Sequence, residues 1–240
     1  MDDREIKAKL LPEFKRDYEK YYPSKSLKEL GFSRGLCDKC GRGFWSVSER
    51  DHCDEPACSG GYRFIGERLT RKSFEYREAW DTYVNVFSKW GYVPLERYPV
   101  VCRWYDELYF VSAGINDFQP YVVSGEVPPP ADCVLEPQFC LRFNDLDNVG
   151  ITGRHYSGFI MVGQHTFRTR EKPDVYFKEE GIKQMHEFLT GKDGLGIQAE
   201  EIFYHEDVWA GGGNFGPCIE FFSRGLELGN QVYMQYRHTP

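Results

Sequence analysis

The residues whose types and spacing best suit chemistry lie in the stretch CLRFNDLDNVGITGRHYSGFIM, residues 140–161. The pattern predicts a strand, a polar loop and a second strand. Arg142 leaves the first strand, and an arginine–histidine pair, Arg154 and His155, opens the second. Because residues two or four apart on a strand share a face, we expect His155 and Phe159 to line one surface, with Arg142 opposite them across the hairpin.

These three side chains, Arg142, His155 and Phe159, indicate nucleotide chemistry when they are taken together. A guanidinium is a permanent cation that holds a phosphate, an imidazole adds a planar donor, and an aromatic ring stacks on a base. For any single one of these residues, an ordinary hairpin with a solvated loop is the simpler explanation. The combination of the three side chains on one face of an antiparallel hairpin favours a nucleotide site.

Four of the eight cysteines form a cluster with metal-ligand spacing, Cys37-x2-Cys40-x12-Cys53-x4-Cys58. In a chain without a secretion signal, such a cluster favours a metal over disulfides. Two cysteine corners can close a tetrahedron around zinc, and four sulfurs leave no open position, so the prediction is a structural Zn²⁺ site. His52 is an alternative ligand. A redox pair at Cys37 and Cys40 is disfavoured because no βαβ pattern surrounds it.

The composition indicates a folded globular protein, with 41% hydrophobic and 16% aromatic residues among 240. No run of about 18 apolar residues occurs, and the charged start MDDREIKAKLL lacks an apolar signal core, so we expect a cytoplasmic protein without a membrane segment. The net charge of −7 argues against a general nucleic-acid coat. It is compatible with small anionic ligands held by a few arginines.

The pattern of elements predicts the α+β class, an antiparallel sheet flanked by helices together with a small N-terminal zinc module. Helical spacing of apolar residues predicts helices over residues 3–22, 73–90 and 178–190. Strands are predicted within 92–112, in a hairpin over 137–168, over 201–209 and 217–225 on either side of AGGGN, and within 226–236. We interpret the aromatic stripe of the second helix as core packing.

The segment QFCLRFNDLDNVGITGRHYSGFIMV resembles motif 2 of the class II aminoacyl-tRNA synthetases, and it is most similar to the alanyl-tRNA synthetases of the archaeal type. Five further stretches occur in the same order: CDKCGRGFW, RYPVVCRW, SGEVPPPAD, WAGGGNFGPC and GLELGNQVYMQY. The resemblance covers residues from about 31 to 240. It implies a six- or seven-stranded antiparallel sheet with ATP bound across it. It also implies that alanine is activated to alanyl-adenylate and then passed to the acceptor end of tRNA(Ala).

Site residues follow from this resemblance. Arg142 matches the catalytic arginine that contacts the α-phosphate of ATP, His155 a polar residue facing the phosphate tail, and Phe159 the ring that stacks on adenine. Mg²⁺ is expected with the ATP.

Four residues match the alanine pocket of this family. They are Met161, Trp209, Val232 and, among three glycines that let backbone approach the substrate, Gly212. Without the resemblance, Met161, Trp209 and Val232 would each be read as ordinary core residues.

Two departures from the family pattern qualify these expectations. Ile160 stands where the family has a glutamate between the aromatic residue and the methionine, and it is out of phase with Phe159 and Met161. Motif 3, which carries a second phosphate-binding arginine, is expected beyond Pro240. We therefore predict a zinc-binding domain over 1–70 and a truncated aminoacylation core over 71–240, which needs a further C-terminal part for activity.

Two other functions stay open at this point. One is a non-catalytic synthetase-like module that binds an amino acid, a nucleotide or RNA, and the less favoured one is a plain structural zinc protein. A set of basic residues is a candidate tRNA-binding patch, with a solvated face as the alternative explanation. The set comprises Arg34, Lys39, Arg42, Arg63, Arg68, Arg71 and Lys72.

Overall fold

The computed structural model describes residues 2–238, which form two compact units. One unit comprises residues 2–73 and 177–238, and the other is Phe74–Tyr176. The chain leaves the first unit close to the boundary predicted at residue 70. It returns at residue 177, which no sequence feature predicted. The functional division into 1–70 and 71–240 stays a prediction.

The helices and strands follow in chain order. They are α1 (Asp3–Arg16), α2 (Tyr18–Tyr21), α3 (Ser24–Glu29), β1 (Ser33–Leu36), β2 (Gly43–Ser46), α4 (Pro56–Ser59), α5 (Tyr76–Phe87), β3 (Val93–Pro94), α6 (Tyr121–Ser124), β4 (Cys133–Leu141), β5 (Gly158–Thr166), α7 (Lys178–Thr190), β6 (Phe203–Gly211), β7 (Asn214–Ser223), β8 (Leu226–Val232) and β9 (Tyr236–Arg237). None of the helices in the described part of the chain combines the length and apolar character needed to cross a bilayer.

The first unit contains a six-stranded sheet in the order β1-β2-β6-β7-β8, with β9 added alongside β7. All of its neighbouring strands are antiparallel. β1 and β2 come from the cysteine-rich module, so this module is an extension of the sheet edge. The α+β class predicted from sequence is confirmed.

Helix α7 is confirmed at the predicted residues and packs on the six-stranded sheet through one face. Ile182, Met185 and Leu189 are buried, as their spacing of three and four residues requires. His186 Nδ1 lies 2.8 Å from the Tyr204 hydroxyl of β6. These contacts hold the helix against the middle of the sheet.

The second unit contains a three-stranded sheet in which β3 pairs parallel with β4 and β4 pairs antiparallel with β5. The resemblance implied one sheet of six or seven strands, whereas the described strands form two sheets. Of the strands predicted over 92–112, only Val93–Pro94 forms, with an isolated bridge between Val101 and Phe110. Pro99 interrupts the rest of this stretch, because proline cannot donate to a ladder.

Helix α5 begins three residues later than predicted, with Glu75 as its N-cap instead of Ser73. A short 3₁₀ turn, Ser88–Trp90, extends it to Gly91, whose φ of +81° ends the helix. Tyr83 and Phe87 are fully buried, which agrees with the interpretation of the aromatic stripe as core.

Candidate nucleotide-binding and metal sites

The β4–β5 hairpin places the predicted nucleotide residues by strict alternation. Cys133 pairs with Thr166 at one end and Leu141 with Gly158 at the other. Phe159 and Met161 therefore share one face of the sheet, while Ile160 points to the opposite face. The apolar substitution at position 160 thus leaves the face with Phe159 unchanged.

Arg142 lies directly after β4 and is held over the ring of Phe159. Its backbone N–H donates to Ser157 O at 2.9 Å, and its Nε donates to Ser112 O at 2.9 Å. The guanidinium carbon is 5.1 Å from the centroid of the Phe159 ring, which is cation–π distance. The side chain is exposed, and its two terminal nitrogens have no protein acceptor among the described residues. The structure thus brings together the cation and the ring that the sequence paired.

Phe159 and Met161 are only partly buried, and a segment that sequence reasoning gave no role packs against them. Cys102 and Val111 form a small apolar cluster with Cys140 of β4, and Phe159 and Met161 lie on it. Trp104, Tyr105 and Leu108 belong to the same cluster. Trp104 is fixed by donating its indole N–H to Asn116 O at 3.0 Å. The motif RYPVVCRW, which contains Cys102 and Trp104, was the sequence feature that could have indicated this contact.

His155 is not on a strand, so the prediction that Arg154 and His155 open the second strand is wrong. β5 begins three residues later, at Gly158. His155 Nδ1 lies 2.6 Å from the hydroxyl of Thr152, and Gly153 between them has a φ of +70°. This local bend turns the chain before the strand begins. The alternation argument for a shared surface with Phe159 therefore does not apply, and a role toward phosphate stays a prediction.

Trp209 and Val232 lie on one face of the six-stranded sheet in the first unit. Trp209 pairs with Gly216 and Val232 with Cys218, so both neighbours of β7 present these side chains on the same side. Both side chains are half-buried. Met161 belongs to the second unit, where it lies on the same face of its sheet as Phe159.

The glycines at 211–213 have local structural reasons to be glycine. Gly212 and Gly213 have φ of +58° and +76° and form the two-residue turn between β6 and β7. A Cβ on Gly211 would lie 2.8 Å from the indole ring of Trp209. Backbone approach to a substrate at Gly212 stays a prediction.

The sulfur atoms of the four clustered cysteines lie at distances that suit a tetrahedral zinc ion. The sulfurs of Cys37, Cys40, Cys53 and Cys58 all lie within 4.8 Å of one another, and Cys40 Sγ is 3.7 Å from Cys53 Sγ. Zinc–sulfur bonds of about 2.3 Å in a tetrahedron separate sulfurs by about 3.8 Å. The eight cysteines form no disulfide. The arrangement fits a structural zinc site and leaves no room for a His52 ligand.

Backbone donors favour the thiolate at one member of this cluster, Cys37, whereas burial raises the pKa of the Cys53 and Cys58 thiols. Burial raises the pKa of the Cys37 thiol, but N–H groups of Cys53, Cys40 and Lys39 outweigh it and lower that pKa to about 6. Thiolate is the form that binds metal. Phe44, Phe203 and Phe222 pack around the buried Cys37, Cys53 and Cys58, whereas Cys40 is exposed.

Three of the predicted tRNA-contacting arginines bind carboxylates inside their own unit. Arg34 makes two bonds of 2.7 Å to the buried Glu206, Arg42 binds Glu220, and Arg63 binds Asp54. Arginine paired in this way compensates a buried charge. These ion pairs explain why arginine occupies the three positions, and they do not require contact with tRNA.

The comparisons with known proteins point to one family. The family model for class II tRNA synthetases (A) matches residues 78–238. An alanine–tRNA ligase of Methanocella arvoryzae is 75% identical over 240 residues, 100% of this chain and 27% of the relative. Those of Nitrosopumilus maritimus and Archaeoglobus fulgidus are 45% and 43% identical over 241 and 223 residues, covering 99% and 92% of the chain and 26% and 24% of the relatives. The chain spans about a quarter of the length of these curated relatives.

Proposed function

Since this chain belongs to the class II tRNA synthetases, we propose that it is the catalytic-domain segment of an alanine–tRNA ligase. Identity of 75% to an archaeal alanine–tRNA ligase along the whole chain supports this proposal. The chain spans about a quarter of that relative. The activity, the substrates ATP and alanine, the tRNA(Ala) partner and a cytoplasmic location are therefore part of the proposal.

The proposed reaction has two steps. A carboxylate oxygen of alanine attacks the α-phosphorus of ATP, a new P–O bond forms, and pyrophosphate leaves with the electrons of the broken bond. A ribose hydroxyl at the tRNA acceptor end then attacks the carbonyl carbon of alanyl-adenylate, and AMP leaves as the hydroxyl loses its proton. Both steps need placement of the reactants and neutralisation of phosphate charge more than they need covalent chemistry by the protein.

The observation that carries the proposal is the placement of Arg142 above Phe159. The Nε contact to Ser112 O anchors the guanidinium near the ring, and its terminal N–H groups stay available for phosphate oxygens. When adenine stacks on Phe159, the guanidinium leaves the ring face and turns to the α-phosphate. Nucleotide binding thus exchanges a cation–π contact for a charge-assisted pair.

The remaining assignments concern the alanine pocket and the metals. The family resemblance assigns Met161, Trp209 and Val232 each to recognition of alanine, and Gly212 to backbone access for the substrate. His155 faces the phosphate tail. Mg²⁺ enters with ATP as part of the substrate.

Zinc bound by the four cysteines has a structural role in this proposal. The sulfur distances support that assignment, and four thiolates leave no position for a substrate.

Binding of ATP to the 240-residue chain tests the nucleotide site. We expect Arg142→Ala to weaken ATP binding by at least about tenfold, because a charge-assisted hydrogen bond contributes about 1.5–3 kcal/mol. Phe159→Ala should weaken ATP and adenosine alike, whereas Arg142→Ala should not weaken adenosine binding. Arg77→Ala, an exposed arginine of α5 in the same unit, is the matched control. Equal ATP affinity for Arg142→Ala and Arg77→Ala, measured by calorimetry, contradicts the site.

A further inference from the structure

Two carboxyl groups are buried against each other in the second unit, apart from the residues proposed to bind substrate. Glu136 of β4 is completely inaccessible, and Asp117 is only 7% exposed. Asp117 belongs to a 3₁₀ turn, Gly114–Asp117, which lies against β4 and β5. Glu136 Oε1 lies against the backbone of this turn, because a Cβ on Gly114 would collide with it.

Most of their oxygens have no donor. Both carboxyl oxygens of Asp117 and Oε2 of Glu136 lack a hydrogen-bond partner among the described residues. Ionised carboxylates only accept hydrogen bonds, so two of them cannot satisfy each other. One proton placed between them turns one group into a donor and removes one of the two buried charges. The same logic makes two adjacent carboxyls share a proton in other buried pairs.

Within residues 2–238, one side chain forms a hydrogen bond with this pair of carboxyls. His165 Nε2 lies 2.8 Å from Glu136 Oε1. The other titratable groups that face the pair are the phenols of Tyr98, on the segment before residue 100, and Tyr83, on α5, with the thiol of Cys140 on β4. No lysine or arginine is paired with either carboxyl within residues 2–238.

The pair is also closely enclosed. A Cβ on Gly114 would collide with Glu136 Oε1, and a Cβ on Gly163 would collide with His165 Nε2. The two glycines therefore let the chain close over the carboxyls on both sides.

We propose that Asp117 and Glu136 hold one proton between them and, bonded to His165, act as a positioning unit for the β4–β5 floor. Glu136 pairs with Gly163, so it lies on the same face as Met161 and Phe159, which are the neighbouring positions of that face on β5. His165 is the next residue of β5 on that face. The unit therefore ties the two strands together beside the predicted substrate residues.

The electrostatics agree with the geometry. Burial first, and then the charge of Glu136, raise the pKa of the Asp117 carboxyl to about 9. The folded protein keeps this proton up to that pH, whereas an unfolded aspartate releases it near pH 4. Between these values the unfolded chain binds fewer protons, so the contribution is fully present near pH 4 and declines as the pH rises toward 9.

The direct test is a carboxyl ¹³C NMR titration of the unmodified 240-residue chain. We expect one resonance of the pair, from Asp117 or Glu136, to titrate above pH 7. Titration of both resonances below pH 5 would overturn the shared proton. This measurement needs no variant and no ligand.

Variants test the same unit through stability. Asp117→Asn gives Glu136 a permanent donor of the same shape. Relative to this variant, the folded-to-unfolded ratio of the parent should fall by up to tenfold for each pH unit between pH 6 and 9. Asp174→Asn, an exposed carboxylate in the same unit, is the matched control and should follow the parent. Parallel curves for the parent and Asp117→Asn, or stabilisation of the parent by Mg²⁺ or Ca²⁺ that Asp117→Asn abolishes, contradict the proposal.

The positioning role rests on the proposed function and has its own readout. Asp117→Ala should weaken ATP binding several-fold at pH 7.5, and Asp117→Asn should restore it to the parent value. Weak binding by both variants contradicts positioning through a hydrogen bond. If the parent itself binds no ATP, the proposed function fails, while the NMR titration still decides whether the proton is shared.

Discussion

Two hairpins of nearly equal strand length differ in how they are closed. β4 and β5 have nine residues each, and β6 and β7 have nine and ten. Two glycines close the β6–β7 hairpin, whereas residues 142–157 separate β4 from β5. The β6–β7 hairpin lies in the middle of its sheet, whereas the β4–β5 hairpin ends in a long exposed loop.

The difference between the two hairpins separates a rigid, buried part of the fold from the part that carries the candidate nucleotide site. Residues 203–208 of β6 are all buried, and strands flank the β6–β7 hairpin on both sides. In the β4–β5 hairpin the ladder fixes Phe159 and Met161, while Arg142 projects from the strand end and His155 lies in the loop. A rigid ladder with a polar loop at its end is a common arrangement for binding sites.

The largest effect on this comparison is expected from the cysteine cluster, which holds the strands next to β6. Cys53→Ser removes one of the four proposed zinc ligands from the module that carries β1 and β2. We expect a loss of about 5 kcal/mol or more of unfolding free energy, because structural zinc contributes about 10–16 kcal/mol in isolated fingers. Denaturation with and without chelator measures it.

Cys133→Ser is the control for this prediction, since Cys133 lies outside the cluster at the start of β4. The β6–β7 hairpin should lose its hydrogen-exchange protection in Cys53→Ser and keep it in Cys133→Ser. A parent protein that is folded and equally stable without metal contradicts the zinc assignment.

A smaller effect is expected from a buried histidine that contacts β6. Burial lowers the pKa of His186 to about 4, so the folded protein keeps this ring neutral while the unfolded chain takes up a proton near pH 6.5. Its contribution to stability is present above pH 6.5 and is lost as the pH falls toward 4. Between pH 7 and 5 the loss should be about 2 kcal/mol.

His186→Gln should remove this part of the pH dependence, as measured by urea unfolding at pH 7, 6 and 5. His205 of β6, whose pKa burial and then Arg42 lower to about 3, leaves a residual slope of the same sign. His155→Gln, in the loop of the open hairpin, is the matched control. An unchanged slope in His186→Gln contradicts the assignment.

The smallest expected effect is a difference in stability between substitutions in the two hairpin connections. Gly213 in the tight turn and Gly153 in the long loop have φ of +76° and +70°, and a Cβ meets nothing within 4 Å at either position. Gly213→Ala should cost about 1 kcal/mol, because a two-residue turn cannot relax its dihedral angles. Gly153→Ala should cost under about 0.5 kcal/mol, since a long loop can relax. Equal losses in thermal unfolding contradict the comparison.

Several structural features could be predicted from local sequence signals alone. Helix α7 follows from its apolar spacing, and the cysteine cluster follows from the spacing of its four members. The register that joins Arg142 and Phe159 follows from alternation along two strands. The strand at Arg154 and His155 was predicted wrongly, because the hydrogen bond of His155 to Thr152 and the positive φ of Gly153 are local features that alternation does not reveal.

The sequence by itself determined the α+β class, the cluster of four cysteines and the order of the motifs that identify the family, because these depend on residue types and short spacings. Only the tertiary structure decided which distant residues meet. It buried Asp117 and Glu136 in one unit, packed residues 102–111 against Phe159 and Met161, and paired Arg34 and Arg63 with the buried carboxylates of Glu206 and Asp54. The physical reason is that burial and charge compensation depend on segments far apart in the chain, which local patterns do not encode.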